Sequence, residues 1–294
     1  MTLDQLRIFL AVAEREHVTR AAEALNLTQS TVSNAINALE TRHDVRLFDR
    51  VGRRIELTAE GRDFLEHARA IMALARTAEA TLAELSGVRR GSLTVFASQT
   101  ISGYWLPAQL VRFSRAYPQV GLKLEIGNTA QCARAVLAGA ADLGFIEGEV
   151  DEPALAADVV AQDQLVVVVG PEHPWRTRPP TLPQDLTGTE WALREAGSGT
   201  RSSFEAALRG FGIRPDELHV TMELPSNEAV CAAVAASQLA TAVSETVAQA
   251  GIGTGRLFRM DCSLPTRAFR LIRHQERRLS RAAEAFRQLL TTPG

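Results

Sequence analysis

The fold of the N-terminal part is decided by residues 19–39, which read TRAAEALNLTQSTVSNAINAL. Thr19 can cap a short helix that runs to Leu25, because a threonine oxygen accepts a hydrogen bond from an amide at a helix start. The Asn26-Leu27-Thr28 sequence then predicts a tight turn, and Thr28 begins another helix that continues to Leu39. Two short helices joined in this way predict a helix-turn-helix arrangement.

The residues on either side of this stretch extend the same domain. Thr2 and Gln5 form the capping-box pattern of a first helix that ends near Glu16, so the two helices of residues 19–39 are the second and third. Further along the chain, a charged segment leads to Val51-Gly52-Arg53-Arg54-Ile55-Glu56-Leu57, in which the glycine supplies a tight turn between two extended arms. The sequence therefore predicts a winged helix-turn-helix.

The third predicted helix has two chemically different faces. Its apolar side carries Val32, Ala35, Ile36 and Leu39 at the spacing of one helical face. The opposite arc carries five uncharged polar side chains, which are Gln29, Ser30, Ser33, Asn34 and Asn37. Amide and hydroxyl groups match the donor and acceptor pattern of base edges, whereas a merely solvated face usually carries Glu, Lys or Arg. The pattern favours base recognition in DNA, and a solvated polar face is the alternative.

A cluster of arginines between residues 42 and 54 follows directly after this helix. Because the whole chain has a net charge of −2, a nucleic-acid partner must be held by such a local basic patch. Phosphate contacts supply most of the affinity for DNA and set the register of the protein on it. Arg46 and Arg50 can instead pair with nearby carboxylates, so Arg53 and Arg54 are the candidates for phosphate contacts.

A long helical pattern begins at Thr58, and its apolar residues share one stripe. The stripe consists of Phe64, Leu65, Ala68, Ile71, Met72, Ala75, Ala78, Leu82 and Leu85, and Gly87 ends the pattern. An amphipathic helix of this length between two domains needs a partner for its stripe, which predicts self-association into a dimer. Packing of the stripe on its own small domain is the alternative.

From Gly91 onward strands alternate with helices, which predicts parallel sheets. An internal repeat indicates two similar lobes, since Gly127-Asn128-Thr129-Ala130-Gln131-Cys132 is echoed by Ser226-Asn227-Glu228-Ala229-Val230-Cys231. Chance similarity between two alanine-rich stretches is the alternative. We expect the second lobe to begin near residues 165–169, and the last strand and helix to cross back and complete the first lobe.

Several motifs resemble the LysR-type transcriptional regulators. They are residues 3–9, residues 21–33, Leu39-Glu40, Arg46-Leu47-Phe48-Asp49-Arg50 and Leu57-Thr58-Ala59-Glu60-Gly61. The resemblance covers essentially the whole chain and implies an α+β multidomain fold. Its parts are a winged helix-turn-helix DNA-binding domain (residues 1–58), a linker and dimerisation helix (59–89), and a two-lobed α/β effector domain similar to periplasmic binding proteins (90–294). Lobe I takes residues 90–161 and 267–294, and lobe II takes residues 162–266.

The resemblance also implies partners. These are double-stranded promoter DNA, a small-molecule effector and further copies of the chain, which form a dimer through the linker helix and a tetramer. RNA polymerase is a candidate further partner.

The chain departs from the family pattern at Asn34 and Asn37, where relatives often carry charged or longer polar side chains. This departure affects the operator sequence rather than the fold. The effector region resembles the subgroup that controls sulfur assimilation or carbon fixation, in residues 127–129, 142–148, 170–174 and 194–201. Members of that subgroup respond to different small molecules, so the effector does not transfer.

Hydroxyl-rich loops predict an effector site where open α/β sheets bind ligands, at the carboxyl ends of their strands. Amides at helix starts, with hydroxyl groups and an arginine added, form a site for a small anion. The predicted effector-binding residues are Ser98, Thr100, Thr129, Ser198, Thr200, Arg201 and Asn227. Ordinary helix capping is the alternative for each loop. Glu147 has no assigned role, because a carboxylate repels an anion unless it bonds a protonated group or an arginine.

The sequence predicts no catalytic, metal or cofactor site. The H-E-x-x-H, G-x-S-x-G and phosphate-loop lysine motifs are absent, and the six histidines lack ligand spacing. We expect a cytoplasmic protein without a membrane segment, because no secretion signal or long apolar run occurs and three cysteines suit a reducing compartment. A redox-responsive regulator acting through Cys132 or Cys231 is the second hypothesis, since helix starts can lower a thiol pKa. Their alanine-rich surroundings favour burial instead.

Overall fold

The computed structural model describes residues 1–51, 54–85 and 91–291 of the 294-residue chain. The chain divides into two compact units, which are Met1–Gly87 with Ala138–Ala140, and Val88–Leu137 with Ala141–Gly294. Separate hydrophobic clusters form inside each of them.

The first unit is a small helical domain with a two-stranded ribbon. Its elements are α1 (Leu3–Arg15), α2 (Val18–Leu25), α3 (Gln29–His43), β1 (Phe48–Val51), β2 (Arg54–Leu57) and α4 (Ala59–Leu85). The two strands pair antiparallel, from Phe48 opposite Leu57 to Val51 opposite Arg54. The predicted winged helix-turn-helix is therefore confirmed for the described residues, which leave out residues 52 and 53 between the strands.

Single side chains fix where these helices begin. Thr2 Oγ1 accepts a hydrogen bond from the Gln5 backbone amide, and the Gln5 side chain accepts one from Thr2, as the sequence predicts. The prediction that Thr19 caps the second helix is wrong. α2 begins at Val18, two residues earlier than a cap at Thr19 would place it, because the His17 ring nitrogen accepts a hydrogen bond from a first-turn amide and takes the capping position.

A tightly packed junction joins α3, the ribbon and α4. Glu40 Oε1 accepts hydrogen bonds from the backbone amides of Leu47, at 2.7 Å, and Phe48, at 3.1 Å. Gly61 lies in the first turn of α4, where an added Cβ would be only 2.1 Å from the Leu47 carbonyl oxygen. Only glycine fits at this close approach of two backbones. The end of α3 and the start of α4 are thus fixed relative to the same short loop.

The apolar stripe of α4 is divided between the core and the surface. Phe64 and Met72 pack against the core of the first unit, and Ala68 is part of that core. Packing on its own domain therefore accounts for the first part of the stripe. Ile71 of the stripe is 36% exposed, and Leu74, which the predicted stripe does not include, is 67% exposed. The stripe residues Leu82 and Leu85 have side chains outside the described part of the structure.

The second unit contains the remaining strands and helices. In chain order they are β3 (Ser92–Ser98), α5 (Gln99–Tyr104), α6 (Leu106–Ala116), β4 (Gly121–Gly127), α7 (Thr129–Leu137), β5 (Leu143–Glu147), β6 (Leu155–Val169), β7 (Glu190–Arg194), α8 (Gly199–Gly210), β8 (His219–Leu224), α9 (Asn227–Ala235), β9 (Ala240–Ser244), α10 (Glu245–Gly253), β10 (Phe258–Arg259), β11 (Thr266–His274) and α11 (Arg281–Thr291). The predicted repeat corresponds to α7 and α9, and each is followed by a fully buried strand, β5 or β9.

The strands of this unit form one mixed sheet. Their order is β4-β3-β5-β11-β6-β9-β7-β8, and β10 pairs with β6. β3 runs parallel to β4 and β5, and β7 runs parallel to β8 and β9, as the alternation of strands and helices predicts. The prediction of purely parallel sheets is wrong at the centre, where β6 and β11 are antiparallel to each other and to their neighbours. The reason is that the chain crosses between the lobes in β6 and returns in β11.

Each lobe packs its helices around its own part of the sheet. In lobe I, Leu93 of β3, Phe113 of α6 and Phe286 of α11 belong to one cluster, so the last helix does return to this lobe. In lobe II, Trp191 of β7 and Phe204 of α8 belong to another. The boundary that the sequence places between residues 161 and 162 falls inside β6.

Candidate functional site

The polar arc of α3 lies at the surface of the first unit. Thr28 caps the helix by accepting a hydrogen bond from the Thr31 amide at 3.2 Å. The arc has four exposed side chains and one half-buried side chain, which are Gln29, Ser30, Asn34 and Asn37, and Ser33. The side-chain amides of Gln29, Asn34 and Asn37 form no hydrogen bond with any described residue. These groups are available to an external partner.

The arginines near α3 are only partly described. Arg42 and Arg46 are exposed, and neither forms an ion pair with any residue that the structure describes. The alternative that Arg46 forms an ion pair with a neighbouring carboxylate is therefore wrong. Arg53 and the side chain of Arg54 lie outside the described residues, so their phosphate contacts stay predictions.

In the second unit, predicted site residues lie at four helix starts. Ser98 precedes α5, Thr129 opens α7, Ser198 precedes α8 and Asn227 opens α9. Neither serine forms a side-chain capping bond. At α9 the cap is Ser226, whose Oγ accepts a hydrogen bond from a first-turn amide at 3.0 Å. Ordinary capping therefore does not explain Ser98, Ser198 or Asn227.

Hydrogen bonds join the starts of α5 and α9 across the two lobes. Gln99 Nε2 donates to the Pro225 carbonyl oxygen at 2.9 Å, and the Asn227 backbone amide donates to Gln99 Oε1 at 3.1 Å. Asn227 Nδ2 donates to Thr100 Oγ1 at 3.1 Å. Two of the predicted residues, Thr100 and Asn227, are thus in direct contact. Gln99 was not predicted, although its place between Ser98 and Thr100 is a signal that points to it.

A second contact between the lobes joins the starts of α7 and α8. Asn128 Nδ2 donates to Glu195 Oε1 at 3.2 Å, and an amide of α7 donates to the Gly197 carbonyl oxygen at 3.2 Å. Gly197 has a φ of +86°, in the left-handed region that glycine adopts readily. A Cβ on Gly199 would lie 2.5 Å from Thr129 Oγ1. The glycines of this loop therefore allow the lobes to approach closely.

The structure gives Glu147 a position at this contact. Its Oε2 accepts a hydrogen bond from Thr129 Oγ1 at 3.3 Å and lies 2.9 Å from the Cβ position of Gly199. Glu147 is therefore a buried carboxylate beside the start of α8. A negative charge is favoured there by the helix dipole.

A buried ion pair in lobe II holds Asn227. Arg194 Nε and Nη2 donate to the two carboxylate oxygens of Glu195, at 2.8 and 3.0 Å. Arg194 Nη1 donates to Asn227 Oδ1 at 2.7 Å. The sequence does not indicate this role of Arg194, because Asn227 is 33 residues away.

A second buried ion pair connects the crossing strands to α8. Arg267 Nε donates to Asp163 Oδ2 at 2.7 Å, and Arg267 Nη1 donates to Thr200 Oγ1 at 3.1 Å. Ser244 Oγ donates to the other carboxylate oxygen of Asp163 at 2.7 Å. These residues come from β6, β9, β11 and α8, so nothing local in the sequence signals the network.

At Arg201 the structure departs from the predicted anion contact. Arg201 Nε donates to Glu205 at 2.9 Å, and Nη1 donates to Glu223 and to the Arg194 carbonyl oxygen. Two carboxylates already neutralise this guanidinium within lobe II. Because these bonds occupy Nε and Nη1 and the two carboxylates balance the charge, Arg201 is corrected to a structural residue that joins α8 to β8.

The cysteines lack the properties that the redox hypothesis requires. Cys132 is fully buried, its Sγ donates to the Phe96 carbonyl oxygen at 3.3 Å, and burial raises the pKa of its thiol. Burial also raises the pKa of Cys231, to about 11. A sensing cysteine needs access to the oxidant and a low pKa. Burial outweighs any effect of the helix starts on these pKa values, as the alanine-rich surroundings of both cysteines favour.

The described residues contain no group of three or more side chains that could hold a metal ion. None of the helices in that part of the chain is both long and apolar enough to span a membrane.

Comparisons with known proteins agree on one family. The profile "Bacterial regulatory helix-turn-helix protein, lysR family" matches residues 3–62, and "LysR substrate binding domain" matches residues 86–292. The transcriptional regulator YeiE of Escherichia coli K12 is 34% identical over 97% of this chain and 96% of its own length. The RuBisCO operon transcriptional regulator of Allochromatium vinosum is 32% identical over 99% and 95%. Full-length CbnR, crystallised with its target DNA, superposes with a TM-score of 0.70 at 25% identity, covering 99% of each chain.

Proposed function

Because the chain belongs to the LysR family of helix-turn-helix transcriptional regulators, we propose that α3 reads operator bases and that a small anionic effector between lobes I and II controls this reading. The chain is a DNA-binding transcriptional regulator with an effector-binding domain, and not an enzyme. The relatives that regulate RuBisCO operons agree with its resemblance to carbon-fixation regulators. The proposed place of action is the cytoplasm, with RNA polymerase as a candidate neighbour at the promoter.

The polar arc of α3 carries the DNA part of the proposal. It is uncharged, and its three side-chain amides are exposed without partners among the described residues, whereas Ser30 bonds to Thr28 and Ser33 is half-buried. It lies opposite the buried side chains of Val32, Ile36 and Leu39. Asparagine and glutamine pair in bidentate fashion with adenine, and serine pairs with several bases. Arg42 and Arg46, together with the predicted Arg53 and Arg54, would supply the phosphate contacts that set the register.

Binding to matched duplexes tests this assignment. An operator is first selected from a random duplex library with the wild-type chain, and affinities for it and for a scrambled duplex are measured across a salt series. Asn34→Ala should weaken operator binding by about 1–3 kcal/mol and leave binding to the scrambled duplex nearly unchanged. Arg46→Ala, the control, should weaken both and lower the salt dependence. Equal losses on both duplexes for Asn34→Ala would contradict base reading.

Unused donors near the contact between the lobes support the effector part. Ser98 Oγ is buried without a hydrogen-bond partner among the residues that the structure describes, and Ser198 provides no side-chain cap to the first turn of α8. Donors of this kind suit an anion. The proposed effector contacts are Ser98, Thr100, Thr129, Ser198 and Thr200, and Asn227 acts through Thr100. A ligand that touches both lobes favours one arrangement of them, and a tenfold shift between two arrangements takes about 1.4 kcal/mol of differential affinity.

Thermal unfolding of the full chain with candidate anions tests the effector site. All three tryptophans, Trp105, Trp175 and Trp191, belong to the second unit, so their fluorescence reports its unfolding. Sulfate, phosphate, thiosulfate and sugar phosphates are screened, and an anion at a hundredfold excess over its Kd adds about 2.7 kcal/mol of stability. Ser98→Ala should remove most of this gain, whereas the exposed Ser114→Ala should not. Equal gains in both variants would place the site elsewhere.

The proposal includes a dimer through α4 and a tetramer through further contacts of the effector domains. The exposed apolar side chains of Ile71 and Leu74 support the first step. Replacing both by glutamate should convert dimers into monomers in sedimentation velocity experiments, with helical content unchanged. A wild-type monomer at micromolar concentration would exclude this dimer.

A further inference from the structure

Two proposed effector contacts, Thr100 and Thr200, belong to networks that begin at buried arginines. The side chains of Arg194 and Arg267 are only 3% and 4% exposed, and each is paired with a carboxylate. A guanidinium has five N–H donors and no acceptor. Every atom to which it is hydrogen-bonded must therefore be an acceptor. Each such acceptor in turn fixes which group donates in the next hydrogen bond of the network.

The first network runs from Arg194 through Asn227 to Thr100. The side-chain amide atom of Asn227 that lies 2.7 Å from Arg194 Nη1 must be the oxygen, because the arginine only donates. The amide nitrogen then faces Thr100 and donates to its Oγ1 at 3.1 Å. Two further bonds from Arg194 to Glu195 prevent the guanidinium from rotating away. Thr100 is thus an acceptor towards Asn227, and its own proton must point elsewhere.

The second network imposes the same condition on Thr200. Nε and Nη2 of Arg267 both lie 2.7 Å from Asp163 Oδ2, and Nη1 donates to Thr200 Oγ1 at 3.1 Å. Ser244 Oγ holds the other oxygen of Asp163 at 2.7 Å. Because each end of Arg267 is fixed, Thr200 Oγ1 accepts and its proton is left over.

The left-over protons have no acceptor among the described residues. Thr100 and Thr200 are each 1% exposed, and neither donates a hydrogen bond to any group that the structure describes. Ser98 Oγ, two residues before Thr100, is buried and has no hydrogen-bond partner in the described part of the chain. A buried hydroxyl that cannot donate is unfavourable, so these groups call for an acceptor from outside the chain.

We infer that Arg194 and Arg267 are positioning residues that never touch the effector but fix Thr100 and Thr200 as hydrogen-bond donors. At these two hydroxyls the site then favours a fully deprotonated oxyanion group, whose oxygens only accept, over a group of equal charge that must also donate. This inference rests on the proposed function, because it needs an effector between the lobes. If the two ion pairs were merely structural, the direction in which the threonine hydroxyls donate would not affect effector binding.

A double-mutant cycle on the full chain tests the first network, with inorganic sulfate as the probe and titration calorimetry as the readout. Asn227→Asp keeps the shape of the side chain and an oxygen for Arg194, but turns another oxygen towards Thr100. The Thr100 hydroxyl then donates to the aspartate instead of sulfate. The effect of the added charge alone is measured in a Thr100→Val background, where no hydroxyl can turn.

We expect Asn227→Asp to lower sulfate affinity about tenfold more in the wild-type background than in Thr100→Val. Thr100→Ser, which restores the hydroxyl, should restore the larger factor. Equal factors in the two backgrounds would overturn the inference and leave the anion site itself standing. If the wild-type chain binds no sulfate, the anion site and this inference fail together.

A comparison of two probes keeps the test valid if a variant unfolds, because it needs only the wild-type chain. Sulfate and hydrogen phosphate are both dianions of similar size at pH 8, but only hydrogen phosphate carries a proton that it must donate. The wild-type chain should bind sulfate about tenfold tighter. Equal or tighter binding of hydrogen phosphate would show that the site does not present donors alone, and would overturn the inference.

Discussion

The polar side chains of α3 and those around Arg194 and Arg267 are in opposite surroundings. The amides of α3 are exposed and have no partner in the described chain. The polar side chains of the two arginine networks are buried. Their bonds, which join Arg194, Asn227 and Thr100, and Asp163, Arg267 and Thr200, connect residues 33 to 127 positions apart. Unused groups at a surface indicate an external partner, whereas a buried network acts on a ligand only through the groups that it orients.

This contrast predicts where substitutions act. A change at a side-chain amide of the α3 arc should alter DNA binding with little effect on stability, since no bond to a described residue is lost. A change in the buried network should lower stability first, because it leaves a polar or charged group without its partner.

The largest expected effect is that of Asp163→Leu. It leaves the Arg267 guanidinium buried without its counter-ion and removes the acceptor of Ser244. The free energy of unfolding of the second unit should fall by about 3–5 kcal/mol. Urea unfolding followed by tryptophan fluorescence measures this, because all three tryptophans belong to that unit.

The matched control for this variant is Asp163→Leu combined with Arg267→Met. Replacing both members of a buried ion pair by apolar residues of similar volume is often neutral, so the double variant should recover most of the lost stability. A loss below about 0.5 kcal/mol for Asp163→Leu alone, the range of ordinary surface substitutions, would remove the contrast between the two units.

The same contrast explains how much the sequence predicts. The two faces of α3, its cap at Thr28 and the ribbon after it follow from residues close together in the chain, and the structure has them where the pattern indicates. Most helices and strands of the two lobes also follow from local alternation. Arg194 and Arg267 look like ordinary strand residues, because their partners are distant in sequence. The antiparallel crossing of β6 and β11 depends on strand order, which no local pattern contains.

Local patterns also fail where a neighbouring side chain competes for the same role. His17 takes the capping position that Thr19 was expected to fill. Arg201 lies in the first turn of α8, after a loop that suits an anion, but it pairs with Glu205 and Glu223 instead. Both errors come from treating a residue type as sufficient without its nearest competitors.

A smaller effect, in the first unit, should come from Gly61→Ala. The new Cβ would meet the Leu47 carbonyl oxygen at 2.1 Å and a Leu57 methyl group at 2.9 Å. The backbone must shift to relieve this, which should lower the stability of the first unit by about 1–3 kcal/mol. Hydrogen exchange of α3 peptides measures it, because both tyrosines and all tryptophans lie in the other unit.

Gly210→Ala is the control for this variant, since nothing lies within 4 Å of its Cβ position. Unchanged exchange protection of α3 in Gly61→Ala would mean that the junction between α3, the ribbon and α4 adapts to the methyl group. The stability of the first unit would then be insensitive to substitutions in its packing as well as to those on its polar surface.

The smallest effect is expected for the replacement of Asn34 by alanine. It is best measured beside the same replacement at Asn227. Asn34→Ala removes an exposed amide that bonds to no described residue and puts a better helix former on α3, so the first unit should gain up to about 0.7 kcal/mol of stability. Asn227→Ala removes a buried amide whose oxygen and nitrogen are both bonded, so the second unit should lose about 1–3 kcal/mol. Hydrogen exchange of α3 peptides and tryptophan fluorescence measure the two changes separately. The deleted atoms are identical, so the difference between the two stability changes reports the effect of burial and hydrogen bonding alone. A loss of stability at Asn34 equal to that at Asn227 would mean that the polar arc of α3 serves the fold, and base reading would lose its main support.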